Sequence, residues 1–154
     1  KDITVEIAGE KAKAIGKKIS KREWYAKKTV DDLQGFEKRS EKELRLPRLQ
    51  SLGAGYEDQV ATLSYLPLEE LPALLAKIPS GTIANLVRED KPEMPVVITH
   101  QVLLIDGKDG KIVRHARSGG KVEDVPALEY FYRYWNSKWR IVGINLNRIQ
   151  SPRI

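Results

Sequence analysis

The sequence predicts an α+β fold, a mainly antiparallel sheet with packed helices. Three observations carry this. Residues 1–58 read as mostly helical, basic and poor in large apolar side chains. Residues 59–150 hold β-prone runs that follow one another closely enough to form a sheet core. Between those runs lie segments with helical spacing rather than long crossovers. At 154 residues the chain has the length of a single domain.

Taken in order, Asp2–Ile7 alternates apolar and polar residues and reads as extended, and Gly9 and Gly16 interrupt whatever follows. Ser20 with Glu23 fits a capping box before a short helix holding Trp24 and Tyr25. A second helix is expected from Thr29 to Leu46, ended by Pro47. Val60, Leu63 and Leu66 mark a strand that stops at Pro67. Leu68, Leu71, Leu74, Leu75 and Ile78 then form one apolar stripe at helical spacing. Pro79-Ser80-Gly81 is a turn before a strand over Thr82–Val87, and Pro92 and Pro95 bracket a loop. Val96–Ile105 is the strongest β signal, continuous enough to suggest a strand covered on both faces. Asp106–Gly110 is a hairpin turn with Lys111–Ala116 as the returning strand, and Gly119-Gly120 is another turn. Val125–Asn136 reads as a helix crowded with aromatic residues, and Trp139–Asn147 as the last strand.

Composition narrows the chemistry. There is no cysteine, which removes disulfides, thiolate metal sites and any thiol nucleophile within the chain. The two histidines, His100 and His115, are too few for a three-histidine metal site. No apolar run is long enough to span a membrane. The net charge is +6, and the excess belongs to the front, with 14 basic and 9 acidic residues up to Gly55. Such a stripe suits a solvated face or an anionic polymer, and no nucleic-acid module signature accompanies it.

Both histidines lie on the one well-specified hairpin. A four-residue loop sets His100 opposite His115, and a five-residue loop sets it opposite Ala116. In either register the imidazoles occupy neighbouring strands within about 5–8 Å between β carbons. That proximity suits a base and the group that orients it. Hydroxyl candidates for a nucleophile are Thr99, Ser118 and Ser80, and none sits in a strand-to-helix elbow. Tyr130, Tyr132, Tyr134, Trp135 and Trp139 fit core packing or, less simply, stacking on a sugar.

The segments Ile98-Thr99-His100, Lys111–Ser118 and Val122–Tyr130 resemble the end of a family of exported bacterial proteins. This family was first grouped as a domain of unknown function, and its members are often called N-acetylmuramoyl-L-alanine amidase-like. They look like relatives of the NlpC-type cell-wall cysteine peptidases, with a papain-like fold. Ile78–Asn85 and the Asp2-x-Thr4 stretch ending at Gly9 resemble upstream segments of the same family. The resemblance departs at Thr99 and Val102, where the family has Ser and Gly, and at Arg117, which intervenes before Ser118.

This resemblance implies a papain-like antiparallel sheet and hydrolysis of an amide in peptidoglycan or a muropeptide, with no cofactor, in an exported or cell-envelope protein. His100 becomes the catalytic base and His115 the polar group that holds it through a ring N–H. Arg117 and Ser118 become substrate contacts. The family's cysteine has no counterpart here, so the expected partner is a cysteine-bearing N-terminal segment of the same precursor, and the chain reads as the carboxyl-terminal part of a longer catalytic domain. A non-catalytic module binding cell-wall glycopeptide and a serine-type hydrolase using Ser118 or Thr99 are the other readings.

Overall fold

The computed structural model describes residues 1–19, 47, 51, 59–94, 96–117 and 119–150. The helices expected over residues 20–46, as well as Pro95 and Ser118, lie outside them. The chain forms two compact units, Lys1–Ile15 with Thr62–Ile154, and Gly16–Ala61. Both histidines and the core lie in the first.

The N-terminal segment is a helix where a strand was expected. Asp2 makes only an isolated bridge with Asn147, and α1 (Thr4–Ala8) follows at once. Ile3 and Ile7, which alternate like a strand, are also four apart, and the Ile7 N–H bonds the Ile3 carbonyl at 3.0 Å. Asp2 starts the turn by accepting the Thr4 N–H at 2.8 Å. Burial pushes the Asp2 carboxyl upward, but the hydrogen bonds from Thr4 and Asn145 outweigh it and hold the group below its usual value. Gly16 does not break the next element. It sits within β1 (Lys13–Ile19).

β2 (Gln59–Pro67) ends at Pro67 as expected. The stripe after it is helical but fragmented: a 3-10 turn over Leu68–Glu70, α2 (Leu71–Leu74), and a 3-10 turn over Leu75–Lys77. Pro72 lacks an N–H and cannot sit deep in a continuous ladder. The facing is nonetheless kept, since Leu68, Leu71, Leu74 and Ile78 are all buried.

β3 (Thr82–Arg88), β4 (Ile98–Gly107), β5 (Gly110–Arg117), β6 (Lys121–Pro126) and β7 (Ile141–Asn147) complete a seven-stranded sheet of order β1-β2-β7-β3-β4-β5-β6. The pairings β2/β7, β7/β3, β3/β4, β4/β5 and β5/β6 are antiparallel, as the α+β reading requires. β4 is not covered on both faces. Only Val102 and Leu104 are buried along it, the alternation of a strand with one core face. The expected helix over Val125–Asn136 is also shorter. Val125 pairs with Val113 in β6, Pro126 caps the helix start, and α3 covers only Ala127–Tyr132. Beyond it the chain tightens into turns, with the Tyr134 and Trp135 N–H groups bonding carbonyls three residues back.

The main core lies on the sheet face that carries Ala84, Leu86, Leu104 and Ile144, closed by Tyr130 and Phe131 of α3. Threaded through the sheet is a polar row. Gln101 Nε2 donates to Asn85 Oδ1 at 2.7 Å, and Asn85 Nδ2 donates to Asn145 Oδ1 at 2.9 Å. Asn145 Nδ2 is directed at Asp2 (2.8 Å), Thr4 (3.1 Å) and the Ser64 carbonyl (2.9 Å). β2 and β7 meet so closely at Gly143 that a β carbon there would lie 2.3 Å from the Leu66 carbonyl oxygen. Among the described residues, no helix is long and apolar enough to cross a membrane.

Two stability outcomes follow. Asn145→Ala strands several buried groups at once and is expected to lower unfolding free energy by about 2–4 kcal/mol, against under about 1 kcal/mol for Asn147→Ala, read by urea denaturation. Gly143→Ala, forced against backbone, is expected to lose at least about 2 kcal/mol in the same measurement. Equal losses from the two asparagine variants would contradict the hub role of Asn145.

Candidate active site

The hairpin brings the two histidines together in a register that differs from both expected ones. Gly107 pairs with Gly110 and Leu103 with Arg114, so the loop is the two residues Lys108-Asp109, shorter than either alternative. Gly110 makes this possible with φ 125, a backbone state that L side chains rarely adopt. His100 and His115 are therefore diagonal rather than opposite. Their rings meet edge to face with centroids 5.7 Å apart. The ring-to-ring hydrogen bond implied by the resemblance does not form, and His115 turns its Nε2 to Glu123 Oε1 at 2.9 Å.

Their environments differ. His115 is buried, held between Glu123 and the Tyr130 ring, whose centroid lies 4.7 Å away. His100 is half-exposed, pairs across the sheet with Leu86, and makes no side-chain hydrogen bond among the described residues. Burial and then the neighbouring His115 charge hold its pKa below the usual 6.5. It opens on a cleft of about 400 Å3 lined by Leu86, Arg88, Thr99, Ala116, Arg117, Tyr130 and Tyr134 beside the two histidines. Burial and then Tyr134 push the Tyr130 hydroxyl up to about 12, so it stays protonated as a donor.

The other candidates divide. Arg117 lines the cleft at its exposed rim, 3.7 Å from Glu123. Thr99 lines it too, with its Oγ accepting from Arg88 at 3.0 Å. Ser80 is elsewhere, its Oγ accepting the Asp106 N–H at 3.0 Å. Ser118 lies outside the described residues. The aromatic group splits as well. Tyr130 is core, Tyr134 lines the cleft, and Trp135 lines a separate hollow of about 290 Å3 with Tyr65 and Arg140. Among the described residues, no three His, Cys, Asp or Glu side chains gather as metal ligands.

Two members of the cleft's surroundings escaped sequence reasoning. Glu123 lies directly across from His115 on β6, a pairing readable once the Gly119-Gly120 turn is given its register. Arg88 ends β3 where the pairing slips against both neighbours, and no local motif signals that.

Solved structures share this architecture. A Legionella pneumophila protein of the family-model DUF1460 superposes with a TM-score of 0.79 at 28% identity, over 95% of this chain and 55% of that one. An N-acetylmuramoyl-L-alanine amidase of Bacteroides uniformis matches with a TM-score of 0.60 at 18% identity, over 98% of this chain and 58% of that one. A Bacteroides fragilis protein, described provisionally as a xylanase, matches with a TM-score of 0.55 at 19% identity, over 95% and 57%. No protein-family model and no curated protein matches the sequence. The chain spans little more than half the length of each of these structures, and the likeness to the last two is one of fold.

Proposed function

We propose that the chain carries the general base of a cysteine-type hydrolase that cleaves amide bonds of peptidoglycan or its muropeptides in the cell envelope. His100 is the base, His115 positions it, and the thiol comes from outside these 154 residues, which contain no cysteine. One observation carries the reading. Among the described residues, His100 is a histidine with its ring nitrogens unengaged and its proton affinity lowered, facing an open cleft, while its neighbour is locked to a carboxylate. The structural likeness to an N-acetylmuramoyl-L-alanine amidase supports the choice of substrate.

In this reading neutral His100 takes the proton of the thiol, and the thiolate sulfur bonds to the amide carbonyl carbon. Collapse of the adduct breaks the C–N bond as His100 returns the proton to the departing nitrogen. Water then cleaves the thioester, with His100 receiving and returning its proton. His115 makes no hydrogen bond to His100, so its part is to wall one side of the ring and disfavour its charging. Arg117, at the rim of the cleft, serves as a substrate contact, and Ser118 is assigned the same role. A second reading, a module that binds cell-wall glycopeptide without cleaving it, is favoured by the missing thiol.

The kinetic test uses the protein as its source cell makes it, alongside the 154-residue chain alone. The cellular protein is expected to release product from muropeptides and the isolated chain none. His100→Ala is expected to lower kcat about a thousandfold, and His115→Ala by about 10–100-fold with KM little changed. Full activity in the His100→Ala protein overturns the base assignment, and a cellular protein that binds but never cleaves establishes the second reading.

The protonation state has its own readout. The folded chain holds the His100 pKa below its unfolded value, so this group contributes stability above about pH 6.5 that is lost as pH falls through the lowered value. In an NMR titration the His100 midpoint should lie below 6.5 and rise in His115→Gln, which removes the neighbouring charge. A midpoint that ignores His115→Gln would show that the two rings are not coupled.

A further inference from the structure

The cleft contains a cation that neither histidine chemistry nor the fold explains. Arg88 ends β3, where the register slips between Leu86 and Val87 against β4 and between Val87 and Arg88 against β7. Such irregularities re-aim a side chain, and here the guanidinium reaches the cleft beside His100. Its anchors are all neutral. Nε donates to Thr99 Oγ1 at 3.0 Å, Nη1 donates to Ser137 Oγ at 3.2 Å and to the Trp139 carbonyl, and the plane lies over the Trp139 ring at 5.4 Å.

What is missing is a counter-ion. No carboxylate pairs with Arg88 among the described residues, and Nη2 has no acceptor there. Burial lowers the guanidinium's proton affinity with only Tyr134 and Tyr130 offsetting it. A half-buried charge without an opposite charge is unfavourable unless a ligand supplies one. Three hydrogen bonds and a ring contact fix the fork in advance, so an incoming anion need not order it. The remaining charges agree in sign. Arg117 stands on the same cleft, and the acid beside it, Glu123, is already engaged by His115 and Arg117.

We propose that Arg88 is the anion-recognition residue of this cleft, binding a free carboxylate on the peptide part of the substrate and so setting which amide lies beside His100. This rests on the hydrolase reading for its substrate, while the carboxylate site itself rests on Arg88 alone. Nε and Nη1 are used by neutral acceptors of the protein and Nη2 is left for the ligand.

The test titrates the isotopically labelled chain with N-acetyl-L-alanyl-D-alanine and with its C-terminal amide, following the Arg88 Nε–H and the His100 ring by NMR. The acid is expected to bind about tenfold tighter than the amide. Arg88→Gln is expected to bind both alike, and Arg88→Lys to keep part of the preference because it keeps the charge but not the fork. A purely structural Arg88 would weaken both ligands equally on substitution. Equal affinities in the unmodified chain, or an undiminished preference in Arg88→Gln, overturn the proposal, and the first comparison holds even where a variant does not fold. Muropeptides with free and with amidated carboxylates form the last arm. If neither binds while the small acid still binds through Arg88, the cell-wall reading falls and the carboxylate site stands.

Discussion

The site depends on one buried amide. Asn145 accepts from Asn85 and Asn147 through its Oδ1 and directs its Nδ2 at Asp2, Thr4 and the Ser64 carbonyl, so that β2, β3, β7 and the N-terminal helix share one polar centre. Its energetic role follows from where it sits. A buried amide left unsatisfied is costly, so each partner must be held where it is. The row extends through Asn85 to Gln101 on β4, and this fixes Asn85 opposite Gln101 and therefore Leu86 opposite His100. A slip of one residue between β3 and β4 would break the row and turn His100 to the opposite face. The polar network on one side of the sheet is thus what aims the histidine on the other.

The second constraint is the edge formed by β5 and β6. Arg114 donates through Nε and Nη2 to the two Asp124 oxygens at 2.7 Å each, one residue from the His115–Glu123 pair and therefore on the other face. Being exposed, this fork contributes more to register than to stability. Its register delivers Glu123 to His115, and Pro126 then starts the short helix whose Tyr130 packs on the far side of the same ring. His115 is immobilised by sheet register and helix placement together.

Much of this was legible in sequence, and the failures have physical causes. Strands β2, β3, β4, β5 and β7 are readable because apolar runs and Pro or Gly boundaries agree along them, whereas β6, with few apolar residues before Val125, and β1 are not. Asp2–Ile7 reads as a strand because Ile3 and Ile7 fit both periods, and contacts outside the pattern, among them the Leu146 N–H donating to Thr4 Oγ1, favour the helix. The hairpin loop was misjudged because Asp106 and Gly107 are turn-formers by composition, yet they pair with Lys111 and Gly110 as strand. Pairing of the histidines survived the error, since adjacent strands keep them close in any nearby register. Glu123 and Arg88 were invisible for a different reason. Their roles arise from cross-strand register and a bulge, which a single chain does not state locally.

The proposed chemistry rests on the asymmetry between the histidines. Two imidazoles alone in a cleft would compete for one proton with nothing to choose between them. Glu123 lies against His115 and not against His100, and Arg117 shares that carboxylate. Among the described residues the carboxylate against the pair is therefore on the buried side, and the cleft side is lined by cations and tyrosines. Charging His100 is opposed by burial and by its neighbour, while Arg88 and Arg117 make the same space favourable to a bound anion. One carboxylate placed on an edge strand thus separates a ring fixed in place from the ring to which the proposed function assigns proton transfer. It does so by register rather than by any motif around the histidines themselves.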